Sequence, residues 1–213
     1  MTFTPTYLFL FHSKLLAMKP TIKTGLAAIL LLAISCTKES IKNSVPVTSQ
    51  SAGNSVAAHY IGERYGGGIV FYLDSTGQHG LIADTVDLPR SRWWNGAYTL
   101  TKANGKQIGT GNTNTRRIIY SQGDSGFYAA RNCWKYRGSG YKDWFLPSRH
   151  ELNELNKQQS VVGGFAGFGV YWSSTEHDSH YVWCQDFPFG TQDVYSKGTY
   201  ESWSGYTRAI RAF

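Results

Sequence analysis

The sequence is short of several things at once, and each shortage closes off a class of protein. It has 3 Cys in 213 residues, too few for a small scaffold held together by disulfides. Charged residues are only 16% of the chain against 41% hydrophobic, so it can build a core and lacks the charge of a disordered chain. No apolar run approaches the ~20 residues that span a bilayer. There is no HExxH, no CxxC pair and no EF-hand spacing, hence no metal signature. No GxSxG elbow is present, and GTGNTNT at 109–115 lacks the lysine of a phosphate-binding loop, so it reads as a turn-forming loop. No catalytic residue and no cofactor is expected. What is abundant is glycine, at 23 residues, and aromatic side chains at 15%, including 7 Trp and 14 Tyr. That balance suits a loop-rich β or α+β domain of an exported protein.

Residues 19–36, KPTIKTGLAAILLLAISC, have the layout of an export signal. Lys19 and Lys23 precede an apolar run from Gly25 to Ile34, too short to span a membrane but suited to a signal-peptide core. Ala33-Ile34-Ser35-Cys36 then reads as a lipobox, with Cys36 lipidated and placed first in the mature chain. The expectation is a signal peptide over 1–35, its true start at Met18 and residues 1–17 either a gene-start error or part of a long signal. Two acyl chains on Cys36 would anchor the protein without a spanning helix. Loss of Lys14, Lys19 and Lys23 takes the formal net charge from +7 to +4, with 18 basic and 14 acidic side chains left. That is below a nucleic-acid footprint, so no nucleic-acid partner is expected.

Residues 36–59 hold the lipidated cysteine and a Ser/Thr/Asn/Ala-rich flexible linker, and 60–213 form the domain. Ile69–Leu73 and Gly80–Ala83 flank the turn Asp74-Ser75-Thr76-Gly77 and predict a β-hairpin. Residues 90–115 read as a long loop. Asp124-Ser125 is placed to cap a helix to about Lys135, with Phe127, Ala130 and Trp134 on its apolar face. Ser148-Arg149-His150-Glu151 matches a capping box for a second helix to about Gln158. Residues 163–169 read as loop, and Tyr171–Ser174, Tyr181–Phe187 and Thr207–Phe213 as strands. The order predicts an α+β fold.

GGGIVFYLD at 66–74, HGLIA at 79–83, IGTGNTNT at 108–115, DWFLPSRHEL at 143–152, YWSSTE at 171–176 and RAIRAF at 208–213 together resemble the C-terminal domain of bacterial collagen-like adhesins, the Lcl C-terminal domain family. The resemblance covers 62–213. It implies a C-type-lectin-like fold with two helices packed on a curved antiparallel sheet, and extracellular adhesion and glycan binding without enzyme activity. The same broad fold hosts formylglycine-generating enzymes, which use a metal-binding cysteine pair. Only Cys133 and Cys184 remain here, far apart in sequence, and the pattern does not match. The expected protein is a lipoprotein of the bacterial cell envelope, anchored to the outer membrane, that binds a glycan or extracellular-matrix ligand; a structural module of the envelope is the alternative.

The motifs also have a plain physical reading. Trp144, Phe145, Trp172 and Trp183 are expected in the core, Ser173 to Thr175 in local backbone bonds, and one of Arg208 and Arg211 against an acid. Cys133 and Cys184 either form a disulfide, the reading taken here for an oxidising compartment, or stay as two buried thiols. Glu176-His177-Asp178-Ser179-His180 is dense in potential ligands but reads as a solvated loop. Candidate ligand contacts are Arg92, Trp93, Trp94, Asn95 and Tyr98, where aromatic faces meet guanidinium and amide groups; either tryptophan could instead anchor the loop to the core. Arg131 and Lys135, at i and i+4 of a helix, open a basic stretch that runs through Arg137 and Lys142 to Arg149, diluted by Asp143; it reads first as an ordinary solvated helix face and otherwise suits an acidic or sulfated polysaccharide.

Overall fold

In a computed structural model, residues 58–187, 189–198 and 205–213 are described. The expected signal peptide, Cys36 and nearly all of the linker lie outside them. The hairpin forms as expected. Strand β1 (Arg64–Tyr65) precedes β2 (Gly68–Leu73), which pairs antiparallel with β3 (Gly80–Ala83). The Asp74 carboxylate closes the turn by accepting from the Thr76 and Gly77 amides, each at 3.0 Å. Gly77 takes φ 69°, a conformation glycine adopts without strain. β9 (Ile210–Ala212) pairs with β3 and completes a four-stranded antiparallel sheet, β1-β2-β3-β9. Residues that alternate along β2 enter two different apolar clusters, Val70 in one and Ile69 and Phe71 in the other, so this sheet is covered on both faces.

The second sheet has the order β4-β8-β5-β6-β7: Leu88–Ser91, Gly205–Thr207, Val170–Glu176, Tyr181–Asp186 and Gln192–Ser196. Its pairs are antiparallel except β5 with β8. The fold is therefore α+β. The segment expected as one final strand is split: β8 belongs to the second sheet and β9 to the first. Arg208 lies in the break, with its side chain fully buried. It is not on a strand face, because its guanidinium is drawn inward to Asp87 at 2.8 Å and to the carbonyls of Asp84, Gly163 and Gly164. Arg211 pairs with Asp143 at the surface.

Four α-helices are described where two were expected: α1 (Gly111–Gln122), α2 (Ala129–Lys135), α3 (Arg149–Lys157) and α4 (Gln159–Val162). α3 starts on the expected capping box, with Ser148 Oγ accepting from the Glu151 amide at 3.3 Å and the Glu151 carboxylate accepting from the Ser148 amide at 2.7 Å. α2 starts later than expected. Tyr128 rather than Asp124 precedes it, and Phe127 is exposed, because Asp124 is engaged by Arg131 and Lys135 instead of capping.

α1 corrects the reading of 109–115 as loop. Gly, Asn and Thr are poor helix formers, and tertiary bonds override them. Asn114 accepts from the Gly105 amide at 3.1 Å and donates to its carbonyl at 2.6 Å. Thr115 exchanges bonds with the backbone of Leu146. Gly111 is required by closeness: a Cβ there would stand 2.2 Å from Glu151 Oε2 and 2.9 Å from the Leu146 carbonyl.

Trp93, Trp144, Trp172, Tyr128 and Ile118 fill the first cluster, together with Cys133 and Cys184. Both cysteines are free, so the expected Cys133–Cys184 disulfide is absent. The Cys184 thiol donates instead to the Asp193 carbonyl on β7 at 3.4 Å. Burial pushes the Cys133 thiol up and raises Cys184 to about 12. The two side chains pack as small hydrophobes.

Candidate functional site

The loop after β4 holds the expected aromatic contacts, and the structure separates them. Trp93 has no exposed surface, and its Nε1 donates to the Ser173 carbonyl at 2.8 Å. It belongs to the core and is removed as a ligand contact, since a fully enclosed ring presents no face to a sugar. Trp94 is half-buried against Gly198, Asn95 is exposed and Tyr98 is 47% exposed. Trp94 and Tyr98 rings lie 4.4 Å apart, and Tyr98 and His180 rings 4.6 Å. Trp94, Tyr98 and His180 thus form a row of aromatic rings on the surface. Arg92 is exposed beside Trp93.

The loop is stitched along α1. Asn95 accepts no helix bond itself: its amide donates to Gln122 Oε1 at 2.7 Å and its side chain donates to the Gln122 carbonyl. Arg117 Nη1 donates to the Lys102 carbonyl at 2.9 Å. Between the segment 100–104 and α1 lies an open cleft of about 680 Å³, lined by Leu100, Thr101, Lys102, Asn104, Arg116, Arg117, Tyr120 and Ser121. Tyr120 is 92% exposed and Leu100 56%. Three cations and no acid line the cleft. A guanidinium pair, an ammonium, an amide and a free aromatic face can together hold an anionic, hydroxyl-bearing ligand.

The basic stretch from Arg131 to Arg149 does not form that site. Arg131 Nε and Lys135 Nζ both bind the Asp124 carboxylate, at 3.2 and 2.6 Å. The Lys135 contact, with Arg131 beside it, holds Asp124 below the usual carboxylate range. Arg137 donates to the carbonyls of Trp134 and Tyr136. Arg149 stacks on Trp183 at 3.5 Å and donates to Gln192. Arg131 and Lys135 share one carboxylate and leave the candidate set; Lys102, Arg116 and Arg117, which meet no acid among the described residues, and Tyr120 replace them, although Arg116 lies over the Trp134 ring at 5.4 Å. A sequence signal for these does exist. Between Asp87 and Asp124 the chain holds Arg90, Arg92, Lys102, Lys106, Arg116 and Arg117 and not one acid.

No protein-family model matches the chain, and no curated protein does. Within the 176–180 cluster, Glu176 is buried and bound to Lys197, while His177 and Asp178 pair with each other at 3.0 Å. Among the described residues no group of three or more His, Cys, Asp or Glu is placed to hold a metal ion. Ser173, Ser174 and Thr175 are all buried. Their bonds reach further than a local turn: Ser173 Oγ donates to the Trp183 carbonyl and Thr175 Oγ1 to the Gly105 carbonyl, both at 2.7 Å. The Thr175 bond ties the end of segment 100–105 to β5, and the Ser173 bond ties β5 to β6.

Proposed function

We propose that the chain is a lipoprotein of the bacterial cell envelope, anchored through Cys36 to the outer membrane, whose domain belongs to the Lcl C-terminal domain family, has a C-type-lectin-like fold and binds an anionic glycan or extracellular-matrix polysaccharide. In this reading the protein is no enzyme and uses no cofactor. The fold assignment is supported by helices α1 and α3 packed on strands of the two sheets.

One observation carries the ligand assignment: the acid-free cleft with Lys102, Arg116 and Arg117 beside the exposed Tyr120. Sulfate or carboxylate groups would be met by the cations and sugar rings by Tyr120. The cleft is open, so binding per site is weak: few contacts form, and the sugar hydroxyls must be desolvated. Many copies tethered to one membrane raise the avidity without further contacts.

The test is binding of the full-length protein to dextran sulfate and to uncharged dextran of the same length. Dextran sulfate is expected to bind, and added salt to weaken it, because screening shortens from ~8 Å at physiological ionic strength to ~3 Å at 1 M. Failure of both polymers to bind folded, multivalent protein would leave the structural-module reading.

A further inference from the structure

Lys102 is one of two described non-glycine residues with left-handed backbone, at φ 60°. A lysine gains nothing locally from that conformation; its Cβ crowds the backbone, and the surroundings must impose it. The agent is Glu176 at the end of β5. Its carboxylate accepts from the Thr101 amide at 2.8 Å and the Lys102 amide at 2.9 Å, and it binds the Lys197 ammonium. Lys197 Nζ also donates to the Thr99 carbonyl at 3.0 Å and lies 4.9 Å from the Trp93 ring centre. Both charged side chains are shut off from solvent, with 0% and 2% exposure.

Two unfavourable features therefore meet at one turn. A buried ion pair is a poor means of stabilising a fold, since its desolvation offsets its attraction, and a strained lysine opposes folding as well. Both act on the segment that lines the cationic cleft, and Lys102 is the residue they shape. From the other side Arg117 grips the Lys102 carbonyl, which ties the turn to α1.

We propose that Glu176, backed by Lys197, is the positioning residue of the cleft: it holds the Thr101–Lys102 turn in the conformation that brings the Lys102 ammonium to the same ligand as Arg116 and Arg117. Glu176 touches no ligand and acts through the two amides it accepts from. The inference rests on the anionic-ligand reading of the cleft.

The experiment compares the full-length protein with Glu176→Gln, Lys102→Gly and Lys102→Arg, using dextran sulfate as the probe. Glu176→Gln is expected to shift the amide proton resonance of Lys102, which loses a carboxylate acceptor, and to raise the Kd roughly fivefold, the size of one exposed ion-pair contact. Lys102→Gly is expected to weaken binding to the same extent while the thermal midpoint holds or rises, because glycine adopts φ > 0 freely. Lys102→Arg restores binding. Where Glu176→Gln does not fold, the double variant Glu176→Gln with Lys197→Met removes both buried charges, and Lys102→Gly decides independently. A folded Glu176→Gln protein with an unmoved Lys102 amide, or with a Kd within about twofold of the parent, overturns the proposal while leaving the cleft reading intact. Binding by Lys102→Gly equal to the parent overturns it as well. A parent protein that does not bind dextran sulfate overturns both.

Discussion

Arg208 and Arg211 stand three residues apart in RAIRAF, yet the structure predicts very different consequences for losing them. Replacing Arg208 with Met keeps an apolar stem over Phe165, whose ring the guanidinium covers at 3.9 Å, and removes the charge. The carbonyls of Asp84, Gly163 and Gly164 then lose their donors, at roughly 1 kcal/mol for the buried Asp84 bond and less for the part-buried pair at 163–164. Asp87 loses its cation but keeps the Tyr171 hydroxyl at 2.5 Å and the Ala166 amide at 3.3 Å, which limits the damage. Breaking a buried pair from one side typically costs about 3–5 kcal/mol, so about 3–4 kcal/mol is expected here. Arg211→Met removes two bonds to Asp143, which is 51% exposed, one to the Gly66 carbonyl and the guanidinium over the Tyr141 ring, and should cost about 1–2 kcal/mol. Urea unfolding followed by tryptophan fluorescence measures both as shifts in midpoint at constant slope. Equal losses for the two variants, or a loss under about 1 kcal/mol for Arg208→Met, would refute the assignment of Arg208 as the clamp between the strand break and the 163–164 loop.

Three further outcomes follow from other parts of the chain. Cys36→Ala should move the protein from the membrane fraction to the soluble one; retention on the membrane, together with an unacylated parent Cys36 by mass spectrometry, contradicts the anchor. Cys133 and Cys184 should resist iodoacetamide in the folded protein at neutral pH and both react after unfolding without reductant, since burial raises both thiols; an unreactive pair after unfolding would restore the disulfide. For Glu151, burial raises the carboxyl above its ordinary range despite the amides of Ser148, Gly109 and Gly111. The folded chain therefore keeps a proton the unfolded chain has lost, so its stabilisation is full below the ordinary range and falls as pH rises through the raised value. The deficit of Glu151→Gln relative to the parent, about 1 kcal/mol in acid, should narrow toward neutral pH in urea titrations; a widening deficit means that the amide bonds outweigh the burial.

Elements were legible in the sequence where local chemistry and tertiary demand agree. The Asp74 turn and the Ser148–Glu151 box carry their own hydrogen bonds, so local pattern sufficed for the hairpin and α3. α1 was illegible because its helix is written by partners far away: Asn114 by Gly105, Thr115 by Leu146, and Gly111 by the closeness of Glu151. The split of the last strand was hidden for the same reason, since Arg208 is pulled out of line by acceptors from two other segments, 84–87 and 163–164. Aromatic composition singled out Trp93, Trp94 and Tyr98 together; the structure leaves Tyr98 exposed and Trp94 half-buried, and spacing could not tell that Trp93 turns inward to Ser173. Arg131 and Lys135 drew attention by helical spacing; only the fold brings both onto Asp124. The cleft was written in the sequence as a stretch of bases free of acids from 88 to 123, a pattern of charge rather than of motif.

The central claim is that the cationic cleft binds an anionic glycan. Its most direct measurement is a titration of the full-length protein with dextran sulfate and with dextran at low and high salt, repeated on Arg116→Gln and Arg131→Gln. The account predicts binding of the sulfated polymer alone, weakened by salt, reduced roughly fivefold by Arg116→Gln and unchanged by Arg131→Gln, whose charge Asp124 already holds. Equal binding of the two polymers, or a loss in Arg131→Gln with none in Arg116→Gln, would contradict it.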